Sequence, residues 1–253
     1  MSEDPRRLDL GPGEARRAMR LTDICRSPEG ARDRQLQRGE AVSAHAARDG
    51  WMQVTAGRDG YTGWVLSDDL HKAPATTHRV AVRATHAYPE PNMKTRELAS
   101  YGFGTELAVV DERHKFFETD AGFVPKAHLR PLDRPFSDPV TVAQLFFGTP
   151  YLWGGNSVFG LDCSGITQIA CLACGLPCPG DSDMQEAELG QPTEDLRHGD
   201  LIFWKGHVAW VVDEQTILHA NAHHMAVAYE PLGPAIARIE AQGDGKPTAR
   251  KRL

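Results

Sequence analysis

Short apolar-polar runs dominate the first half of the chain, and a helical period takes over in the second. Ala41-Val42-Ser43-Ala44, Trp51-Met52-Gln53-Val54 and Thr62-Gly63-Trp64-Val65 are separated by Arg48-Asp49-Gly50 and Arg58-Asp59-Gly60. Runs of that length, punctuated by Asp-Gly, predict strands joined by tight hairpins. The pattern then repeats. Ala18-Met19-Arg20-Leu21-Thr22 returns as Ala81-Val82-Arg83-Ala84-Thr85, and Gly63-Trp64-Val65 with Leu70 returns as Gly122-Phe123-Val124 with Leu129. A period of about sixty residues predicts two copies of one small β-barrel, at 18–74 and 78–132. Residues 1–17 are charged and punctuated by Gly and Pro, and are expected to form a surface arm.

Residues 133–140 read as a linker, and Val140 to Phe147 as a short helix before Gly148-Thr149-Pro150. The approach through Gly154, Gly155, Asn156, Ser157 and Gly160 cannot hold regular structure. From Ser164 onward Ile166, Ile169, Ala170, Ala173 and Leu176 fall at helical spacing, which puts Cys163 at a helix N-terminus. Unpaired N–H groups and the helix dipole there favour a thiolate. Gly175 to Gly180 ends that helix, and Asp181 or Ser182 caps a second one. From Leu201 four apolar runs, 201–204, 207–212, 216–220 and 226–229, predict an antiparallel sheet with the preceding helices on one face. The fold class is therefore α+β, with a C-terminal domain over 141–242 and a loose basic tail over 243–253.

Composition narrows the function classes. In 253 residues, 41% hydrophobic and 25% charged, the formal net charge is −6. That gives no footprint for nucleic acid, so no nucleic-acid partner is expected. No window approaches the roughly 18 apolar residues of a membrane span, so no membrane association is expected either. The first residues lack an apolar signal core, and the five cysteines do not form an even framework. The expected setting is reducing and cytoplasmic, with export by another route left open. Cys171, Cys174 and Cys178 have a C-x-x-C-x-x-x-C spacing. Two of them lie inside the apolar helix, where cysteine behaves as a small hydrophobe, and no convergent fourth ligand is evident; no metal and no other cofactor is expected.

A thiol nucleophile needs a base, and the base needs a group that orients its ring. His207 opens an apolar strand directly after Lys205-Gly206, and His219 ends the next strand beyond the hairpin at Asp213-Glu214-Gln215. Antiparallel pairing across that turn is expected to bring the two rings side by side.

These residues carry a resemblance. Trp153-Gly154-Gly155, Leu161-Asp162-Cys163-Ser164-Gly165, Gly199-Asp200-Leu201-Ile202-Phe203, His207-Val208 and Ile217-Leu218-His219-Ala220 resemble, in order and spacing, the motifs of the NlpC/P60 family of papain-like cysteine peptidases. Trp51, Val54, Gly60, Tyr61, Gly63, Trp64 and Val65 resemble bacterial SH3 domains, of which the second copy is a degenerate example. The resemblance implies a papain-like catalytic domain, helices on an antiparallel sheet, behind two SH3-like barrels. It implies Cys163 as nucleophile, His207 as general base and acid, and His219 as the orienting residue. It also implies hydrolysis of the γ-D-Glu to diamino acid bond in murein tripeptides or tetrapeptides with a free N-terminal L-Ala, releasing L-Ala-D-Glu in cell-wall peptide recycling. The residues implied in substrate binding are Asp162 and Glu40 for the ammonium, Ser164 and Ser182 for the γ-D-glutamyl portion, Tyr151 and Trp153 for the wall, and Tyr61 from the first barrel. No obligate protein partner is inferred. The alternatives are an acyltransferase or amidase on the same fold, and a non-catalytic protein that binds cell-wall peptide.

Overall fold

The computed structural model describes residues 4–253, which form two compact units divided between Arg134 and Pro135. The first three residues of the expected N-terminal arm lie outside the described residues.

The first unit contains both predicted β-modules. In the first module β1 (Glu14–Ala18), β2 (Thr22–Cys25), β3 (Arg32–Leu36), β4 (Ala41–Arg48), β5 (Trp51–Ala56), β6 (Thr62–Leu66) and β7 (Leu70–His71) form one antiparallel sheet in the order β3-β2-β6-β5-β4-β1-β7. Its core is built from Ala18, Ile24, Leu36, Val42, Val54, Ala56, Tyr61, Val65 and Leu70. The hairpin between β4 and β5 turns on Asp49 and Gly50, both with positive φ, which matches the right-handed twist of the flanking strands. The expected arm over 1–17 requires correction. Residues 14–17 are part of β1, which pairs with both β4 and β7. The chain before it is also tied down, the Thr62 amide donating to the Arg6 carbonyl at 2.8 Å.

The second module comprises β8 (His78–Val80), β9 (Ala84–Ala87), β10 (Ala99–Gly102), β11 (Glu106–Leu107), β12 (Val109–Arg113), β13 (Phe116–Thr119), β14 (Gly122–Pro125) and β15 (Leu129–Pro131). They make three small sheets around Val80, Ala87, Leu107, Val124 and Leu129. The internal repeat is visible in the backbone. β6 and β14 each run into a single 3-10 turn, Ser67–Asp69 and Lys126–His128, and each turn delivers a buried leucine, Leu70 or Leu129, to a closing strand.

The second unit follows the α+β expectation and extends it. After α1 (Pro139–Gln144), the approach expected to be irregular instead pairs Asn156 with Leu161 and Ser157 with Gly160 as a short ribbon of β16 (Asn156–Ser157) and β17 (Gly160–Leu161), which leads into α2 (Cys163–Ala173) and α3 (Ser182–Glu188). Then β18 (Gln191–Pro192), β19 (Leu201–Trp204), β20 (His207–Asp213), β21 (Thr216–Asn221) and β22 (Ala226–Pro231) precede α4 (Leu232–Gln242) and β23 (Ala249–Arg252). The sheet order is β18-β23-β19-β20-β21-β22. Ala235 and Ile239 of α4 pack on Ile202, Trp204, Ala209, Val211 and Ile217. The residues between these along the strands, Val208, Trp210, Leu218 and Ala220, are equally buried, so both faces of the sheet are covered. Among the described residues no helix is long and apolar enough to cross a membrane.

The tail expected to be loose over 243–253 is corrected by β23, which pairs with β18 and β19 inside the sheet. It lacks the apolar alternation of a half-buried strand, and is held by backbone pairing and by one anchored arginine. Arg252 grips the buried Asp200 through Nε at 2.9 Å and Nη2 at 2.8 Å.

Two local constraints position α2. A Cβ at Gly165 meets the Gly155 carbonyl oxygen at 2.2 Å, so the first turn of α2 lies directly on the glycine-rich approach. Gly165→Ala is expected to destabilise the second unit by about 1–3 kcal/mol, read as a lowered midpoint in chemical unfolding, because backbone has to move. At the other end of the domain His198 bridges α1 and β20, its Nδ1 lying 2.8 Å from the Val212 carbonyl and its Nε2 3.1 Å from Asp138. Both contacts are donations only when the ring is protonated, and the Val212 carbonyl, then the Asp138 carboxylate, raise its pKa above 6.5. The bridge is therefore fully formed below the ordinary histidine value and is lost as pH rises through the raised one. The melting-temperature gap between the native chain and His198→Gln is expected to be widest near pH ~5.5 and to close by pH ~8.5.

Candidate active site

The residues at the start of α2 are arranged by one carboxylate. Asp162 caps the helix: its Oδ1 accepts from the Gly165 amide at 2.6 Å and from Ser164 Oγ at 3.0 Å, and its Oδ2 accepts from the Gly154 amide at 2.9 Å. The cap therefore holds both the helix and the approaching loop. Gly154 adopts a φ of +71° as its amide turns toward the carboxylate. Cys163 becomes the first helical residue, where N–H groups have no intrahelical partner. Its Sγ lies 3.9 Å from the Gly206 carbonyl, the residue before His207.

Gly206 belongs to the hairpin between β19 and β20 and has a φ of +75°. This turn starts β20 at His207, paired with Trp204. The expected side-by-side pairing of the histidines is realised as a diagonal. The register sets Trp210 opposite Leu218 and Val211 opposite Ile217, so His219 is two positions removed from the residue facing His207. The rings are still within reach, with His207 Nε2 and His219 Nδ1 2.7 Å apart. The other nitrogen of His219, Nε2, lies 3.0 Å from Glu230 Oε2 on β22. Arg238 of α4 holds that glutamate through Nε to Oε1 and Nη2 to Oε2, each at 2.8 Å.

Burial decides the charge states along this row. It pulls the His207 pKa down to about 3, aided by the neighbouring His219 ring and the positive charge of Arg238 and opposed by Glu230. Burial likewise lowers His219, against the pull of Glu230. Hydrogen bonds from His219 and Arg238 hold Glu230 far below the usual carboxylate range. Two neutral imidazoles thus sit beside an ionised carboxylate. Tyr151, half-buried, has its phenol pushed up by burial and then by the charges of Cys163 and Asp162, which places it at the same centre.

The other expected substrate residues are distributed more widely. Ser164 is buried against Asp162, and its carbonyl accepts from Gln185 Nε2 of α3 at 3.0 Å. Ser182 opens α3 and is half-buried, while Trp153 is exposed on the glycine-rich approach. Tyr61 and Glu40 belong to the first unit. Tyr61 is 2% exposed, within the first barrel's core cluster. Glu40 accepts from Arg58 Nη1 at 2.8 Å on both oxygens and from the Gln37 amide at 2.7 Å. Cys171 is buried within α2 and Cys178 is buried beyond it. Among the described residues no three His, Cys, Asp or Glu side chains form a group able to hold a metal ion.

Glu230 and Arg238 were absent from the sequence reading. The signal for Glu230 was the hairpin register: extending the last strand one residue beyond Tyr229 puts a carboxylate opposite Ile217, on the same face as His219. Nothing in the sequence linked Arg238 to it.

Comparison with known proteins bears on the family and the fold. Residues 148–237 match the NlpC/P60 family, and residues 24–70 match the bacterial dipeptidyl-peptidase SH3 domain. A γ-D-glutamyl-L-lysine dipeptidyl-peptidase of Bacillus subtilis is 29% identical over 211 residues, covering 74% of this chain and 71% of the relative. A Bacillus cereus protein of the same name is 27% identical over 229 residues, covering 77% and 68%. The fold matches that of an NlpC/P60 family protein from Bacillus cereus with a TM-score of 0.78 at 19% identity, over 94% of this chain and 99% of the other. The chain carries an NlpC/P60 domain over residues 148–237, the domain of a family of cysteine peptidases, and a bacterial dipeptidyl-peptidase SH3 domain precedes it in the sequence over residues 24–70.

Proposed function

We propose that the chain hydrolyses the γ-D-Glu to diamino acid bond of murein peptides that carry a free N-terminal L-Ala, releasing L-Ala-D-Glu in cytoplasmic recycling of cell-wall peptides. The observation that carries this reading is the Cys163 sulfur at the α2 N-terminus, against the Gly206 carbonyl and hence beside His207. The names of the two Bacillus relatives support the bond type.

In this reading His207 takes the proton of the Cys163 thiol, and the thiolate attacks the γ-amide carbonyl. The tetrahedral oxyanion faces the backbone N–H groups at the start of α2, where charge that develops in the transition state is stabilised without reorganisation. His207 then returns its proton to the leaving α-amine of the diamino acid, and water, deprotonated by His207, hydrolyses the thioester. His219 keeps the His207 ring in place. In this reading Asp162, whose carboxylate sits beside Cys163 at the start of α2, supplies the negative charge that attracts the substrate ammonium.

Mass-spectrometric digestion of L-Ala-γ-D-Glu-meso-diaminopimelate beside its N-acetylated twin tests this. The native chain is expected to release L-Ala-D-Glu from the free peptide only, and Cys163→Ala to release nothing while still binding. Equal cleavage of both peptides removes the ammonium gate from the reading. Cleavage of neither moves the weight to an acyl transfer reaction on the same scaffold.

A further inference from the structure

His219 has both ring nitrogens engaged, Nδ1 with His207 Nε2 at 2.7 Å and Nε2 with Glu230 Oε2 at 3.0 Å. A neutral imidazole has one N–H and one lone pair, so the partner on either side dictates the orientation of the whole row. Glu230 is that partner. Its two oxygens are held by Arg238 in a bidentate grip, and a carboxylate so paired is ionised and only accepts. His219 must then donate from Nε2, which leaves its Nδ1 as acceptor. His207 must donate to it from Nε2, which leaves the lone pair on His207 Nδ1. Among the described residues that Nδ1 has no hydrogen-bond partner, and Cys163 Sγ lies beside the residue preceding His207.

We propose that Glu230, clamped by Arg238, is a positioning residue that fixes the tautomers of both histidines and so keeps the His207 Nδ1 lone pair available to the Cys163 thiol. The inference rests on the reading of Cys163 as nucleophile and His207 as base. One proton moves in the activating step: the Sγ–H bond breaks, the proton joins His207 Nδ1, and the pair becomes thiolate and imidazolium. The new positive charge on His207 is then felt by His219 and, beyond it, by the Glu230 carboxylate. The proton on His219 stays where it is, and Glu230 stays ionised.

The placement follows from the topology. His219 faces Ala228 and Ile217 faces Glu230 across β21 and β22, so His219 and Glu230 are diagonal neighbours on one face. Arg238 reaches them from α4, and His224 from the turn after β21 adds a further positive influence on His219 when protonated. Cys163 from α2 and Tyr151 also face the row, and Lys205, His223 and Asp244 line the cavity that His207 and Arg238 share. A carboxylate-arginine pair that served only to dock α4 on β22 has no reason to meet a histidine nitrogen.

Glu230→Gln keeps the volume and still reaches both neighbours, but it has one acceptor where Arg238 and His219 require two. Its amide N–H₂ either opposes Arg238 or donates to His219 and reverses the row. The expected result is a kcat lowered roughly 10- to 100-fold with KM within about twofold, in the range typical of groups that orient a reacting histidine. Alkylation of Cys163 by iodoacetamide is expected to shift its pH midpoint upward toward the free-thiol value of ~8.5. In Glu230→Ala, formate is expected to restore part of the kcat by returning a carboxylate to Arg238, with no such gain in the native chain. Rates are counted per folded chain, with the folded fraction read from each variant's unfolding transition, so loss of folded protein does not imitate loss of catalysis. A native kcat and an unchanged alkylation profile in Glu230→Gln, with only a lowered melting temperature, overturns the proposal and leaves the pair as a docking contact. Turnover that survives Cys163→Ala overturns the underlying reading and the proposal together.

Discussion

The peptidase domain depends on the three donors gathered by the Asp162 carboxylate. Two of them are backbone amides eight and three residues away, Gly154 and Gly165, and the third is the Ser164 hydroxyl. An N-cap of this kind contributes about 1 kcal/mol to a helix, but here it also closes the loop that precedes the helix. Because Gly165 packs against the Gly155 carbonyl, the loop and the first helical turn cannot slide past each other. The Cys163 sulfur is consequently placed by backbone and not by its own rotamer alone. That rigidity fits a site in which an error near 1 Å has a large effect on rate.

The opposite wall is set by strand register. The turn at Gly206 fixes where β20 begins, and a register shift between Val211 and Asp213 fixes how β21 lies beside it. The two rings meet diagonally, and burial keeps both neutral despite their mutual contact. Neutral imidazoles require a defined tautomer where imidazoliums would not, so the low local dielectric makes the identity of the next partner matter. Electrostatics and register thus act on the same two side chains from different directions.

Legibility in the sequence followed the strength of the local signal. Glycine turns, the sixty-residue repeat, the α2 N-terminus and the strands around His207 and His219 were readable because sterics and apolar periodicity specify them locally. β1 and β23 were not, since Glu-Ala-Arg-Arg-Ala and Ala-Arg-Lys-Arg offer no apolar alternation and owe their place to the strands that flank them. α4 was hidden by Gly233-Pro234, which reads as a breaker. In the first turn of a helix the missing proline N–H costs nothing, because that group has no partner there anyway, and Leu232, Ala235, Ile236 and Ile239 then fall at helical spacing. Glu230 and Arg238 were illegible for a different reason: a charged residue near the end of a strand and another on a helix resemble solvated positions until tertiary structure pairs them.

That pairing is itself informative. Removing one partner of a largely buried ion pair is strongly destabilising, yet replacing both by apolar residues of similar volume is often neutral or stabilising. The junction of α4 with β22 has apolar alternatives at hand, since Ala235 and Ile239 already dock the helix on the sheet. Stability therefore does not explain why Glu230, 9% exposed, and Arg238 are charged at this place. Contact with His219 does, because only an acceptor that stays ionised inside the domain gives the two imidazoles a single orientation. The arginine keeps the carboxylate ionised, the carboxylate orients one histidine, and that histidine orients the next. The charge pair is best understood as part of the machinery that presents one lone pair to one thiol.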